Sequence, residues 1–155
     1  MSYKEQIQRI IDAYSDTIGP EPATKHDIAR WAVSQGMWKP QAGSMIDQCA
    51  DEIARVLREE YFVADDGHEI RAKHAARVKR DGKQTTLWAD IRTASRSHMA
   101  AAFQQRRQQI LGDCRQLEVD VNYYNQTRSP NEPIQMVFDF TLDLAEIEAA
   151  RHAAA

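Results

Sequence analysis

Residues 61–91 read YFVADDGHEIRAKHAARVKRDGKQTTLWADI, a stretch in which short β-rich runs alternate with two Asp-Gly turns. The first turn, 65–67, separates the run 61–64 from the run that begins at 69. An Asp-Gly pair between such runs indicates a hairpin, because both residues tolerate the positive φ that tight turns require. A second turn at 80–83 separates 75–78 from 85–91. The stretch therefore predicts a small antiparallel sheet of three strands.

Two helices are predicted at the start of the chain. Isoleucines recur at helical spacing through 3–18 and stop at Gly19, which is followed by proline. Thr24 begins the second helix, and Asp27 stands at the third position, where a capping box usually has Glu.

A third helix follows a turn at 36–43. Gly36 allows the left-handed exit of the second helix, and Ser44 is positioned to cap a helix that runs to about residue 60. The order of three helices followed by hairpins predicts an α+β fold.

The remaining chain divides into a long helix and a tail. Thr93 is a plausible cap for an amphipathic helix to about 125, a polar linker with two prolines follows, and a short helix is expected over 142–152. We therefore expect three regions: a domain over 1–91, the long helix over 92–126, and the linker and tail over 127–155.

The predicted core is drawn from the apolar faces of these elements. Trp38, in the turn, is expected to cap the core rather than to protrude. The core positions are Ile7, Ile11, Ile28, Trp31, Ile46, Ile53, Leu57, Phe62, Leu87 and Trp88.

Charge is strongly partitioned along the chain. Residues 1–67 hold 7 Lys and Arg against 12 Asp and Glu, residues 68–115 hold 11 against 4, and residues 116–155 hold 2 against 7. A basic centre between acidic ends is either an ordinary solvated surface or a face that contacts phosphates. The total charge of −3 conceals this difference.

The first 91 residues resemble winged helix-turn-helix DNA-binding domains in the order of their elements. The resemblance implies that the third helix enters the major groove and that a basic wing follows the phosphate backbone of duplex DNA. Asp51 and Glu52 on that helix count against strong sequence reading. The expected DNA-binding residues are Gln41, Ser44, Asp47, Gln48, Arg71, Lys73, Arg77, Lys79, Arg80 and Lys83.

The long helix carries a seam of apolar residues over 99–124, interrupted by Arg107. It either packs on the N-terminal helices or pairs with a second copy of the chain. Pairing would give a homodimer that spans two DNA half-sites.

The tail contains the segment Gln135-Met136-Val137-Phe138-Asp139-Phe140. Gln135, Met136, Phe138 and Phe140 resemble the peptide motif by which bacterial replication and repair proteins bind the DNA polymerase sliding clamp, with Phe where Leu is commoner. The interpretation favoured over clamp binding is an apolar strand or anchor that ties the tail to its own domain. The stretch that runs from 88–91 through 104–110 to 135–140 is also similar to small uncharacterised bacterial proteins of phage and mobile-element type.

An enzyme is the least favoured alternative. The polar residues Asp65, Asp66, His68, Glu69 and His74 would suit a metal-dependent nuclease, but their spacing matches no metal motif. We expect no cofactor, no metal, and buried free thiols at Cys49 and Cys114. With no apolar run long enough for a membrane span and no signal-peptide pattern, a cytoplasmic location is expected. The alternative to DNA binding is a protein-interaction module on the same scaffold.

Overall fold

The computed structural model describes residues 2–39 and 45–155, which fall into two compact units, Met1–Ile53 and Ala54–Ala155. Its mixture of helices and small antiparallel sheets confirms the α+β class. The elements are α1 (Tyr3–Ile18), α2 (Lys25–Ser34), α3 (Met45–Glu59), β1 (Tyr61–Val63), β2 (Glu69–Arg71), β3 (Lys73–Arg80), β4 (Lys83–Asp90), α4 (Arg96–Arg128) and α5 (Thr141–Ala154).

Local signals set the bounds of α1 and α2. The Thr24 hydroxyl accepts from the backbone N–H of Asp27, whose carboxylate accepts in return, so the predicted capping box is present. Gly36 has φ +64°, which confirms the left-handed exit after α2. The two helices meet where Tyr14 and Trp31 stack edge to face, with ring centroids 5.5 Å apart.

Most apolar side chains of α3 are exposed, contrary to the predicted core, and Leu57 is half-buried. Ile46 is 79% exposed and Ile53 is 53% exposed, so their assignment to the core is wrong. Ile11 is also exposed, while the other predicted core positions are only half-buried. Cys49 is exposed and Cys114 half-buried; both thiols are free, but neither is buried as expected.

The strands form two separate pairs instead of one three-stranded sheet. β1 pairs with β2, and β3 pairs with β4, both antiparallel. The chain passes from one pair to the other at Ala72, whose N–H donates to the Glu60 carbonyl and whose carbonyl accepts from Ile91. β3 begins at Lys73, two residues earlier than predicted. The strand can include the polar Lys73 and His74 because each side chain forms a hydrogen bond within the fold.

In the second unit, the buried residues Ala76 and Ala102 lie on β3 and α4, which pack against each other. Ala76 is fully buried and Ala102 is 4% exposed, and these small side chains allow the helix to approach the strand closely. The buried ring of His74 stacks edge to face on Phe103 and hydrogen-bonds the Arg71 carbonyl at 2.8 Å. The core of this unit is therefore small and partly polar.

Helix α4 begins two residues later than predicted. The Asp90 carbonyl accepts from Thr93 and Ala94 in a turn, so the cap is Ser95, whose hydroxyl accepts from the His98 N–H. At the other end, Ser129 takes a left-handed conformation with φ +45° and closes the helix ahead of a proline.

Two glycines give a matched test of this backbone. Gly82 has φ +75° in the turn between β3 and β4, so Gly82→Ala should lower the free energy of unfolding by about 1 to 2 kcal/mol, because a left-handed conformation penalises a Cβ. Gly112 lies inside α4 with nothing within 4 Å of its added Cβ, so Gly112→Ala should raise it by about 0.5 to 1 kcal/mol. Denaturant unfolding measures both, and changes of the same sign would contradict these backbone assignments.

Candidate nucleic-acid interface

The hairpin of β3 and β4 ends in a two-residue turn. Asp81 and Gly82 have φ of +49° and +75°, and the flanking Arg80 and Lys83 are paired across the strands. Positive φ at both central residues is the requirement of a type I′ turn, whose twist matches that of the strands. The turn therefore fixes the position of the basic residues around it.

Cations occupy both faces of this hairpin near its tip. Side chains of directly opposed residues share a face and alternate along each strand. The register pairs Arg77 with Thr86 and Arg80 with Lys83, which places Arg77 and Lys79 on one face and the latter pair on the other. All four cations are exposed.

These four side chains are not neutralised within the described part of the chain. None of Arg77, Lys79, Arg80 and Lys83 forms an ion pair there. Like charges directly opposite each other destabilise a hairpin slightly, so the pairing of Arg80 with Lys83 is unfavourable for the hairpin alone. An anion bound between them would relieve that repulsion.

Side chains of α4 hydrogen-bond the backbone of β3. The Gln105 side-chain amide donates to the Arg77 carbonyl at 2.9 Å and its oxygen accepts from the Arg77 N–H at 2.7 Å. In addition, His98 Nε2 lies 2.9 Å from the His74 carbonyl. The backbone that carries the cations is therefore held at several points along the strand.

Two of the predicted DNA-binding residues are engaged in contacts within the fold. The Lys73 ammonium lies 3.0 Å from an Asp90 carboxylate oxygen and 3.9 Å from Glu60. The Arg71 guanidinium donates to the Tyr61 hydroxyl at 3.3 Å and lies over its ring. Asp90 therefore neutralises Lys73, whereas Arg71 contacts only a neutral hydroxyl and ring, and contact of either residue with DNA stays a prediction.

Of the four residues predicted to contact bases from the third helix and the turn before it, two lie among the described residues. Asp47 and Gln48 are exposed in its first two turns. Gln41 and Ser44 lie outside the described residues.

Asp90 accepts a set of charged hydrogen bonds that the sequence did not predict. Its carboxylate accepts from Arg92 Nε at 2.9 Å and Nη2 at 2.8 Å, and Lys73 adds a third charged donor. The Arg92 hydrogen bonds, followed by that of Lys73, hold the pKa of this carboxyl well below its usual range. The short spacing between Asp90 and Arg92 is the sequence signal that could have predicted their contact. The contact with Lys73 depends on strand register, which the sequence does not show.

Three of the five residues considered for a nuclease site, Asp66, His68 and His74, form contacts within the fold. His68 lies between two carboxylates, with Nδ1 2.8 Å from Asp66 and Nε2 3.1 Å from Glu148 of α5. Arg151 donates to Glu148 at 2.8 Å and to the Asp66 carbonyl at 3.4 Å. We call these four residues the tail latch, because they join α5 to the turn between β1 and β2.

The tail latch shifts the pKa values of its members in opposite directions. Hydrogen bonds from Arg151 and then His68 lower the pKa of Glu148 to about 2. Glu148 first, and Asp66 second, raise the pKa of His68. Each shift favours the charged form that the latch requires.

The segment 135–140 is neither helix nor strand. Met136 is 50% exposed, Val137 80% and Phe140 44%, while Phe138 is half-buried. No strand forms over this segment, so that part of the prediction is wrong, whereas an anchor to its own domain stays a prediction. The start of the segment is fixed, because the Asn125 side chain bonds both the N–H and the carbonyl of Ile134.

The predicted seam of α4 has no covering layer over much of its length. Phe103, Ile110, Leu117 and Tyr124 are between 43% and 52% exposed. A homodimer through 99–124 stays a prediction.

Two absences hold for the part of the chain that the structure describes. No three His, Cys, Asp or Glu side chains there converge as a set of metal ligands. None of the helices in it has the length and apolar character needed to cross a membrane. The chain has no significant match to a protein-family model, to a curated protein or to a solved structure.

The tail latch predicts a specific pH dependence. Because the pKa of His68 is raised above its ordinary 6.5, its contribution is complete below that pH and is lost as pH rises through the raised value. The contribution of Glu148 is present above its ordinary 4.5 and is lost as pH falls towards about 2. The latch should therefore hold α5 most firmly between these ordinary values.

Amide hydrogen exchange of α5, corrected for intrinsic rates, measures this. We expect weaker protection at about pH 8.5 than at about pH 5.5, and His68→Gln should remove the difference. His26→Gln, on α2, is the control and should preserve it. Protection of α5 that is equal at the two pH values in the unsubstituted protein would contradict the assignment.

Proposed function

We propose that this chain is a non-enzymatic protein that binds double-stranded DNA, with the tip of the β3 and β4 hairpin as its phosphate-contacting surface. The observation that carries the proposal is the set of four exposed cations, Arg77, Lys79, Arg80 and Lys83, without ion-pair partners among the described residues. Phosphate contacts by Lys and Arg supply most of the affinity of non-specific DNA binding.

The arrangement favours backbone contact over sequence reading. Cations on both faces of a narrow hairpin suit insertion beside or between phosphate-lined walls, as a wing does. Asp47 and Gln48 of α3 are the proposed base-reading positions, and both are exposed. The acidic Asp51 and Glu52 on the same helix keep the proposed sequence preference modest.

A regulatory or accessory role follows from this proposal. A winged helix-turn-helix that binds DNA without chemistry acts by occupying a site or by recruiting a partner. The support is the order of three helices before two hairpins together with the basic tip, and the winged helix itself is part of the proposal.

Salt dependence tests the proposal. Fluorescence anisotropy of a labelled random-sequence duplex, between about 50 and 200 mM salt, should give a steep loss of affinity with salt. The double variant Arg80→Gln with Lys83→Gln should reduce the slope of log K against log salt by about 0.9 for each phosphate contact removed.

Arg128→Gln is the control, because it removes one charge from the exposed last residue of α4, a long way along the helix from Gln105, which contacts β3. It should leave the slope unchanged. Absence of binding at the lower salt, or equal slopes for the double variant and the unsubstituted protein, would refute the proposed surface.

A second candidate function is binding of the bacterial DNA polymerase sliding clamp through 135–140. The observation that favours it is that this segment is non-helical and largely exposed, as a peptide ligand must be to enter a pocket. Gln135, Met136 and Phe140 are exposed and Phe138 is half-buried, so three of the four motif positions are accessible without rearrangement.

Point substitutions separate this candidate from a simple apolar contact. With a purified bacterial clamp, Gln135→Ala and Phe140→Ala should each weaken binding at least about tenfold, since anchor residues carry most of the energy of such interfaces. Val137→Ser is the control, because Val137 is the most exposed of the large apolar residues of the segment but lies between motif positions. Equal effects of Val137→Ser and Phe140→Ala, or no binding by the unsubstituted protein, would rule out the motif.

A further inference from the structure

A cavity of about 350 Å³ lies between α1 and α2, within the first unit. Its wall is formed by aliphatic side chains of both helices and by Trp38; Ile10, Ile28 and Val33 are among them. Sites for small molecules are concave, mostly apolar, and have volumes of roughly 300 to 1,000 Å³, with a few polar groups that orient the ligand. The cavity fits this description at the small end of the range.

Side-chain contacts hold the two helices at both ends of the cavity. The Trp38 indole N–H donates to the Tyr3 hydroxyl at 3.3 Å, and Tyr14 stacks on Trp31 eleven residues further along α1. Because one contact lies at the start of α1 and the other near its end, the space between the helices is largely formed in advance. A ligand would not have to order the helices on binding.

Lys25 is the one charged side chain among the described residues that line the cavity. It begins α2 and forms no ion pair within the described chain. The carboxylate of Asp27, two residues along the helix, accepts from the Thr24 hydroxyl at 2.6 Å and forms no ion pair with Lys25. An apolar cavity with one cation at its wall is complementary to a molecule with an apolar body and one negative charge.

We propose that this cavity binds an amphiphilic anion with a short unbranched alkyl chain, its carboxylate on Lys25 and its chain among the isoleucines and Trp38. Burial of the chain supplies the affinity, and the ion pair with Lys25 selects the anion. The inference does not rest on DNA binding, which involves other residues in the second unit.

Calorimetric titration of the full chain with decanoate, octanoate and decanol tests the inference. We expect one molecule of decanoate per chain, and octanoate should bind roughly tenfold or more weakly, because each buried methylene contributes about fourfold. Lys25→Gln should weaken decanoate about two- to fivefold and leave decanol unchanged. Lys4→Gln, a cation of α1 outside the cavity wall, should change neither.

Ala29→Leu should weaken both decanoate and decanol, since the larger side chain occupies space at the cavity wall. Ala29 is exposed, so the fold should tolerate this change, and circular dichroism verifies that it does. Absence of saturable decanoate binding overturns the inference, including the case in which sedimentation shows that a second copy covers the cavity. Decanoate binding that is unaffected by both Lys25→Gln and Ala29→Leu overturns it as well. DNA titrations of the same protein are independent of these outcomes.

Discussion

The close packing of α4 on β3 is the constraint on which the second unit depends. A two-stranded hairpin is marginally stable in water by itself, so β3 and β4 need a helix to cover one face. Ala72, Ala76 and Ala102 are nearly inaccessible, and their small side chains bring the helix near enough for Gln105 to bond both backbone groups of Arg77. Burial of these alanines and the hydrogen bonds of Gln105 therefore act together, and they fix the position of the exposed tip of the hairpin.

Polar contacts secure the tail of the chain. Asn125 fixes Ile134 by two hydrogen bonds, and the tail latch joins α5 to the first hairpin through His68 and Glu148. Apolar residues of α5 such as Leu142 and Ile147 remain exposed. The tail is thus positioned without burying its apolar side chains, which leaves 135–140 accessible between two fixed ends.

Local sequence signals predicted much of the secondary structure. The capping box of Thr24 and Asp27, the left-handed Gly36 and the Asp81-Gly82 turn each depend on residues at most three positions apart, and each is present. The helix α5 was also expected from its composition, within about two residues at each end.

Long-range pairings could not be predicted in the same way. His68 meets Glu148 across 80 residues, and Gln105 meets Arg77 across 28, separations at which no local pattern carries information. Helical periodicity likewise predicted a buried face for α3, but periodicity shows only that a face is apolar and not that another element covers it. The sequence predicted the candidate site as one basic cluster. The strand register shows which cations differ: Lys73 lies opposite Asp90, which neutralises it, whereas the cations of the tip have no such partner among the described residues.

The measurement that tests the central claim most directly is a map of backbone amide shifts in the labelled protein when a random-sequence duplex is added at low salt. The account predicts that the largest changes fall at residues 77 to 86, on both faces of the hairpin and across its turn, and that they are reversed when salt is raised. Changes confined to α4, α5 or the tail, or the absence of changes at that concentration of salt, would contradict it.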